Sequence, residues 1–250
     1  YYHDASFEQL EQLVPKEHAV IITDTNVRDA MSGRLEGWAT IVIEAGEAHK
    51  QQSTADYIIG ELIRLEADRK TWIIGVGGGV VTDMAGYVAG VYMRGLSFGF
   101  VPTSGLAMVD ASIGGKNGID RGVYKNLVGL IRQPSFLLFD HSLLSTLPHA
   151  EWVNGFAEII KHAAIKDAGL FEELEQRSLH YYKNEPSAMA RLVEKNVAIK
   201  TGVVLRDERE QGERRQLNFG HTFGHAIENL YQLPHGHAIS IGMHMASVLS

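Results

Sequence analysis

The sequence predicts a parallel α/β domain followed by a mostly α-helical domain. Short β-branched runs alternate with helical patterns through the first half of the chain. After Pro148 the strand signal fades and apolar residues recur at helical spacing. Patterns segregated in this way are typical of two separate domains. We therefore place the domain boundary between residues 1–147 and 148–250.

Continuous apolar runs mark the strands of the first half. They lie at residues 19–22, 40–43, 72–76 and 98–101. Because continuous apolar strands separated by helices are buried on both faces, they indicate parallel βαβ units. The helix before the third strand is visible in the spacing of Ala55, Ile58 and Leu62, which is close to a 3.6-residue period.

Apolar residues in the second half repeat every three to four positions, as in Phe156, Ile159 and Ala163. This spacing predicts helices with one buried face. The chain begins at Tyr1 rather than Met, and it ends at Ser250 inside an apolar pattern that no glycine or proline caps. We therefore expect that both ends are cut and that the second domain is incomplete at its C-terminus.

The composition narrows the functional classes. The chain has 250 residues, a net charge of −7 and no long basic run, so nucleic acids and anionic membranes are not expected partners. No apolar stretch approaches the roughly 20 residues of a membrane helix, and no signal pattern opens the chain, which favours a cytoplasmic protein. Because cysteine is absent, histidine, aspartate and glutamate are the candidate metal ligands.

A glycine-rich turn follows the third predicted strand and opens a helix. Gly77, Gly78 and Gly79 would let backbone N–H groups approach a phosphate at a helix N-terminus. Val80 and Thr82 occupy the positions where the last glycine of a dinucleotide fingerprint would fall. A tight structural turn is therefore an equally good interpretation of this motif alone.

Polar side chains follow the first two predicted strands. Asp24 and Asn26 come after the first strand, and Glu47 and Lys50 come after the second. Acidic groups at the C-terminal ends of parallel strands can accept hydrogen bonds from ribose hydroxyls, although turn formation and helix capping explain each residue equally well. Together with the glycine turn, these residues favour a dinucleotide ligand.

The second half holds the metal candidates. His221 and His225 lie one helical turn apart, and either His235 or His237 could add a third nitrogen. Histidines satisfied by ordinary hydrogen bonds are the alternative. Glu158 is ambiguous by pattern, because an acid among apolar residues is usually a charge on a helix face.

A series of motifs extends across both predicted domains in a fixed order. It comprises residues 77–79 with Asp83, then 92–95, 101–104, 108–116, 125–127, 157–161 and 218–225. In this order the chain resembles the 3-dehydroquinate synthases from about Asp24 to its end. The resemblance implies a Rossmann-like NAD-binding domain and a helical metal-binding domain with the active site in the cleft between them.

The resemblance also implies the role of each matching position. The implied cofactor-binding residues are Asp24, Asn26, Glu47, Lys50, Gly77, Gly78, Gly79, Asp83, Thr103, Ser104 and Lys125. The implied ligands of a divalent metal, zinc or cobalt, are Glu158, His221 and His235. The implied substrate-binding and catalytic residues are Asp110, Lys116, Asn126, Lys161, Lys200, Arg214, Asn218 and His225. Arg94 matches an arginine that reaches the neighbouring subunit of a homodimer.

The implied reaction converts 3-deoxy-D-arabino-heptulosonate 7-phosphate to 3-dehydroquinate and phosphate. NAD oxidises a hydroxyl, phosphate is eliminated, NAD is regenerated, and an aldol step closes the ring. Lys200 and Arg214 would fix the substrate carboxylate. Since the protein is acidic overall, an anionic sugar phosphate requires such a local concentration of cations.

Other functions stay open. A cyclase acting on a sedoheptulose or glucose phosphate is one, and Asn218 and His225 argue against it. A metal-dependent alcohol dehydrogenase that releases NADH is another, and it has no obvious use for Lys200 and Arg214. An inactive NAD-binding module is a third. The complete set of candidate ligands argues against it, although the family's last phosphate contact lies beyond Ser250.

Several positions depart from the family pattern. Ser104, Asn117 and His141 stand where threonine is common. His237 stands where glutamate is usual, so an imidazole replaces an acceptor near the expected metal. We expect the first three residues to tune the site and His237 to affect the orientation of the metal ligands.

Overall fold

A computed structural model describes residues 1–250 and divides the chain into two compact units. The first unit comprises Tyr1–Thr103 and Gly115–Thr146, and the second comprises Ser104–Gly114 and Leu147–Ser250. The predicted division at 147/148 did not include the excursion of Ser104–Gly114 into the second unit. This excursion matters for function because it contains Asp110.

The first unit is built on a four-stranded parallel sheet. Its strands are β1 (Ala19–Asp24), β2 (Ala39–Ile43), β3 (Trp72–Gly77) and β4 (Ser97–Pro102), in the order β2-β1-β3-β4. The central strands β1 and β3 are buried along almost their whole length, as their continuous apolar runs predict. The predicted α/β class is confirmed.

Helix α1 (Leu10–Leu13) precedes β1. The strands of the sheet are connected by α2 (Thr25–Ala30), α3 (Gln52–Arg64) and α4 (Gly79–Val91). On α3 the side chains of Ala55, Ile58 and Leu62 are fully buried, in agreement with their helical spacing.

An antiparallel hairpin, β5 (Lys116–Arg121) and β6 (Tyr124–Ile131), completes the first unit and was not anticipated from the sequence. Most residues of β6 are exposed, including Leu127 at 62%. Because neither face of β6 is consistently buried, the strand lacks the alternating pattern by which strands are recognised in sequences.

The second unit is helical, as predicted. Its helices are α5 (His149–Lys166), α6 (Ala168–Gln176), α7 (Leu179–Asn184), α8 (Pro186–Arg206), α9 (His221–Tyr231) and α10 (His235–Leu249). The excursion adds a short π-helix, Ala107–Ala111, which packs against α5 and α8. None of the helices combines the length and apolarity needed to cross a membrane.

Candidate active site

The glycine turn of the first unit joins β3 to α4. Gly77 ends the strand, Gly78 is the N-cap and Gly79 begins the 13-residue helix. A Cβ on Gly77 would lie 2.5 Å from the side chain of Val81, so the turn admits no side chain there. The N-terminus of a long helix reached through glycines is a suitable place for an anionic group, because N–H donors and the helix dipole both face it.

Asp24 lies at the end of β1, beside the end of β2, since the parallel register pairs Asp24 with Ile43. Its Oδ1 accepts a hydrogen bond from the backbone N–H of Val27 at 2.9 Å, so Asp24 caps α2. Burial raises the pKa of the Asp24 carboxyl. Asn26 and Glu47, the other acceptors predicted at this edge, are exposed.

Lys50 is the centre of a polar cluster in the first unit. Its side chain is buried, and Nζ lies 2.5 Å from Asp83 Oδ2 and donates to Asn126 Oδ1 at 2.5 Å. Burial lowers the pKa of Lys50, but the carboxylates of Asp83 and Glu47 outweigh it and raise the pKa above its ordinary value. Lys125 Nζ lies 3.8 Å from Glu47 Oε1. The structure therefore joins predicted cofactor-binding residues to Asn126, whose predicted role was in substrate binding.

Arg94, Thr103 and Lys116 complete the predicted site residues of the first unit. Arg94 is exposed and follows α4 with φ of +65°, in the left-handed region. Lys116 is exposed at the start of β5. Thr103 is buried, and its backbone N–H donates to the carbonyl of Gly77 at 2.9 Å.

The carboxylate of Asp110 lies beside two lysine ammonium groups in the second unit. Its Oδ1 accepts a hydrogen bond from Lys200 Nζ at 2.7 Å and lies 3.9 Å from Lys161 Nζ. Burial alone raises the pKa of the Asp110 carboxyl, but the two ammonium groups outweigh burial and hold this pKa well below its ordinary value. On the same excursion, Ser104 Oγ accepts from the N–H of Ala107 at 3.2 Å, so Ser104 helps to form the turn that positions Asp110.

The two lysines differ although both are buried. Lys161 is ion-paired with Glu158, and the carboxylates of Glu158 and Asp110 raise the pKa of Lys161 against the effect of burial. For Lys200, burial outweighs the attraction of Asp110 and lowers the pKa. The difference arises because Lys161 lies between two carboxylates.

His162 and Asn196 also belong to this cluster, and the sequence analysis missed both. His162 Nε2 lies 3.3 Å from Asp110 Oδ1, and His162 Nδ1 lies 3.2 Å from Asn196 Oδ1. Both side chains are fully buried. A polar residue within an apolar helical stripe is the signal that could have found them, and each occupies such a position on α5 or α8.

Arg214 and Asn218 lie in the 3₁₀ helix Glu213–Asn218 that leads to α9. Arg214 is buried, and its guanidinium donates to the carbonyls of Gly114 at 2.9 Å and Glu208 at 2.6 Å. Asn218 Nδ2 donates to the carboxylate of Glu210, a contact that the sequence analysis did not include. Lys200 and Arg214 therefore both reach the segment from Asp110 to Gly114.

The side chains of Glu158, His221 and His235 lie close together in the second unit. Glu158 is fully buried, and its Oε1 has no hydrogen-bond partner. This oxygen lies 3.6 Å from His221 Nε2 and 3.5 Å from His235 Nε2. Ligand atoms about 2.1 Å from a tetrahedral ion are about 3.4 Å apart, so the three residues fit a divalent metal.

The charge states of these residues reflect their neighbours. Burial raises the pKa of Glu158, but Lys161 outweighs it and lowers this pKa to about 2. Burial and the nearby ammonium of Lys161 lower the pKa of His221 to about 4. Burial lowers the pKa of His235 as well, but the carboxylates of Glu158 and Glu228 raise it to about 9.

His225 does not share the position of His221. Its ring lies edge-on to that of His221, with centroids 5.1 Å apart, and its ligand atoms group with those of Glu228 and His235 rather than with Glu158. His237 is exposed and is not among the residues that could hold a metal with Glu158. The two histidines that pattern alone makes equivalent are therefore in different surroundings.

Glycines let α9 and α10 approach closely enough to bring their histidines together. A Cβ on Gly242 would lie 2.1 Å from the carbonyl oxygen of Gly220, so only glycine fits at this crossing. The first turn of α10 is fixed by Asn154, whose Oδ1 accepts from the N–H of Gly236 at 2.9 Å. As a result, the rings of His221 and His235 have centroids 5.8 Å apart.

Two of the residues that depart from the family pattern, Asn117 and His141, lie in the first unit. Asn117 is buried, and its Nδ2 donates to the carbonyls of Gly115 at 2.7 Å and Arg132 at 3.0 Å. His141 Nε2 lies 3.7 Å from Asp4 Oδ1. Asn117 therefore holds the backbone at the start of β5, and His141 contacts the N-terminal segment.

Solved structures of distant proteins share this fold. Sulfoacetaldehyde reductase from Bifidobacterium kashiwanohense in complex with NAD⁺ is 12% identical and superposes with a TM-score of 0.71, covering 97% of this chain and 74% of the reductase chain. At this identity the similarity concerns the fold alone.

Sugar-phosphate cyclases are more similar. A 2-deoxy-scyllo-inosose synthase complexed with carbaglucose-6-phosphate, NAD⁺ and Co²⁺ is 30% identical, with a TM-score of 0.87 over 97% of this chain and 69% of that one. The 2-epi-5-epi-valiolone synthase from Streptomyces hygroscopicus subsp. jinggangensis 5008, with NAD⁺ and Zn²⁺ bound, is 31% identical, with a TM-score of 0.85 over 92% of this chain and 68% of that one.

Family comparisons cover most of the chain. The sequence model of the 3-dehydroquinate synthase N-terminal domain matches residues 40–154, and that of the C-terminal domain matches residues 155–250. The two matches are contiguous. They include the charged cluster of the second unit (Asp110, Lys161, His162 and Lys200) and the candidate metal ligands Glu158, His221 and His235. The chain therefore belongs to the 3-dehydroquinate synthase family of sugar-phosphate cyclases.

Proposed function

We propose that the protein is an NAD- and divalent-metal-dependent 3-dehydroquinate synthase, a lyase that releases phosphate from 3-deoxy-D-arabino-heptulosonate 7-phosphate. The observation that supports this substrate best is the convergence of two buried cations. Lys200 donates to Asp110 Oδ1 at 2.7 Å, and Arg214 donates to the Gly114 carbonyl at 2.9 Å, so both reach one short segment. A substrate carboxylate needs such a pair of donors.

The residues that would hold the metal are Glu158, His221 and His235, and those that would hold NAD surround the glycine turn and Lys50. When bound, NAD supplies a hydride acceptor and donor, and a zinc or cobalt ion supplies Lewis-acid polarisation of a substrate oxygen. The bound NAD⁺, Co²⁺ and Zn²⁺ of the two cyclases support this assignment.

Lys161 would orient the substrate beside the metal ligands. It is held between Glu158 and Asp110, so its position is fixed before a substrate binds. Asn218 and His225 would donate hydrogen bonds to the substrate phosphate. We assign no protein base to the elimination, because the substrate phosphate can itself accept the proton.

A cyclase that acts on a sugar phosphate without a carboxylate is a second candidate. It is favoured by the two similar solved structures, which are a 2-deoxy-scyllo-inosose synthase and a 2-epi-5-epi-valiolone synthase. In such an enzyme Lys200 and Arg214 would bind sugar hydroxyls or serve the fold only.

Phosphate release from three substrates tests both candidates. We expect release from the heptulosonate phosphate and not from sedoheptulose 7-phosphate or glucose 6-phosphate. Release should require NAD, stop with a chelator and leave no net NADH, because oxidation and reduction cancel in each cycle. Turnover of only a carboxylate-free substrate would overturn the proposed substrate, and stoichiometric NADH would indicate a dehydrogenase.

We also propose that the enzyme is a cytoplasmic homodimer in which Arg94 serves the partner's site. Its support is the exposed position of Arg94 after α4, at φ of +65°. Mixing Arg94→Ala subunits with Lys161→Ala subunits should restore part of the activity, since one site of each hybrid is intact. Hybrids that form without recovering activity would contradict a shared site.

A further inference from the structure

Each of the two histidines that face Glu158 has one nitrogen turned towards it and one turned away. His221 Nε2 faces Glu158, while His221 Nδ1 lies 3.2 Å from the backbone carbonyl of Phe219. His235 Nε2 also faces Glu158, while His235 Nδ1 lies 3.5 Å from Glu228 Oε2. Each outward nitrogen therefore has an oxygen atom within 3.5 Å.

An acceptor at Nδ1 determines which nitrogen of an imidazole carries the proton. With the proton on Nδ1, the lone pair is on Nε2 and is available to a metal. For His221 the acceptor is a carbonyl that the backbone supplies whatever the side chains are. For His235 it is the side chain of Glu228, which a mutation can remove.

Glu228 is well placed to act on His235. It lies on α9, three residues after His225, and is 7% exposed. Helix α9 packs against α10 where Gly220 and Gly242 meet. By contrast, His237, which stands at the position where an acceptor was expected from the sequence, is exposed.

We infer that Glu228 is the positioning residue for the metal ligand His235, holding its ring and its Nδ1 proton so that Nε2 faces Glu158. This inference rests on the metal site of the proposed function. It places the acceptor for His235 Nδ1 on α9. The residue expected to orient the metal ligands, His237 on α10, is exposed. A carboxylate acceptor also increases the electron density on the ring, so its loss weakens the metal bond as well as the orientation.

The test is Co²⁺ affinity, measured by competition with a chelating dye and by the visible absorption of bound Co²⁺. Glu228→Leu should bind Co²⁺ about 10- to 100-fold more weakly than wild type and alter its absorption spectrum. Glu228→Gln keeps an oxygen acceptor but no charge, and should lie between them. Glu194→Gln, an exposed change on α8, and His237→Ala should match wild type.

The outcomes separate the inference from the proposed function. Wild-type affinity and spectrum in Glu228→Gln and Glu228→Leu, with Co²⁺ binding lost in His221→Ala, would overturn the role of Glu228 and leave the metal site intact. Absence of Co²⁺ binding by the wild-type protein would overturn both. Circular dichroism of the metal-free variants identifies misfolding, and if Glu228→Leu misfolds, Glu228→Gln alone decides.

Discussion

The two units differ in how far their candidate ligand-binding residues are buried. Near the glycine turn of the first unit the donors are backbone N–H groups, and side chains such as Asn26 and Glu47 are exposed. In the second unit Glu158 and His162 are fully buried and Lys161 is 2% exposed. Buried ions must pair with one another before any ligand arrives. The first unit therefore has a backbone turn and one buried ion pair, Lys50 with Asp83, whereas the second unit has a larger pre-organised cluster of buried charges.

Lys161 provides the most severe test of this difference. Lys161→Ala removes the cation between Glu158 and Asp110, so two buried carboxylates lose a shared partner. We expect kcat/KM for phosphate release to fall by about 10³-fold or more. The matched control is Lys195→Ala on α8, whose exposed lysine pairs only with Glu173 and should change activity little.

Steady-state phosphate release measures both variants, and circular dichroism checks that they fold. Lys161→Gln, which is closer in volume, serves as the second variant if the alanine protein is unstable. Activity within tenfold of wild type in a folded Lys161 variant would mean that the buried cluster is structural only.

Substitutions of the two α9 histidines test which of them binds the metal. His221→Ala removes a group 3.6 Å from Glu158 Oε1, so the protein should lose tightly bound metal by more than about 100-fold in affinity. His225→Ala should retain metal but lose turnover, because we expect that side chain to bind the phosphate. Elemental analysis of the purified proteins measures metal content directly.

His235→Ala and His237→Ala complete that experiment. The first should behave like His221→Ala, and the second should retain metal because His237 is exposed. Equal metal loss at positions 221 and 225, or loss at 237 but not at 235, would show that the ligand set is wrong.

How much was predictable differs between the units for a physical reason. The sheet and the glycine turn are local patterns, in which strand, turn and helix adjoin in the sequence, and residues alone predicted them. The charged cluster combines the Ser104–Gly114 excursion with α5 and α8, and no local pattern links these segments.

Resemblance supplied Asp110, Lys161 and Lys200 where pattern could not. It did not supply His162, Asn196 or Glu228, which contact other site residues. The spacing of His221 and His225 suggested equivalent ligands, but α10 distinguishes them because its first residue, His235, faces Glu158 beside His221. Which nitrogen faces which oxygen is a property of packing, and helical periodicity does not contain it.

Two glycine-to-alanine substitutions test whether the turn between β3 and α4 requires glycine at position 77. Gly77→Ala would place a Cβ 2.5 Å from Val81, so we expect a loss of about 1–3 kcal/mol in unfolding free energy and weaker NAD binding. Gly60→Ala, on α3 with no atom within 4 Å of its new Cβ, should instead stabilise the protein by about 0.5–1 kcal/mol.

Urea denaturation and NAD titration by fluorescence measure the two effects. Equal stability of the two alanine variants would refute the tight turn at Gly77. Unchanged NAD affinity in a folded Gly77→Ala protein would separate the turn from cofactor binding.

The smallest effect concerns a polar group that the second unit buries without charge. Burial, together with the nearby carboxylate of Glu173, raises the pKa of Tyr182 to about 12. Tyr182 is 1% exposed, and its hydroxyl donates to Glu173 Oε1 at 3.3 Å. Because the folded-state pKa is above the unfolded value of about 10, this stabilising contribution is complete below pH 10 and is lost as the pH rises towards 12.

Across that range we expect the free energy of unfolding of the wild-type protein to fall by on the order of 1–2 kcal/mol more than that of Tyr182→Phe. Urea denaturation of both proteins at pH 9, 10 and 11 isolates the phenol from the lysines and other tyrosines that titrate there. Parallel pH profiles for the two proteins would mean that Tyr182 ionises as readily in the folded chain as in the unfolded one.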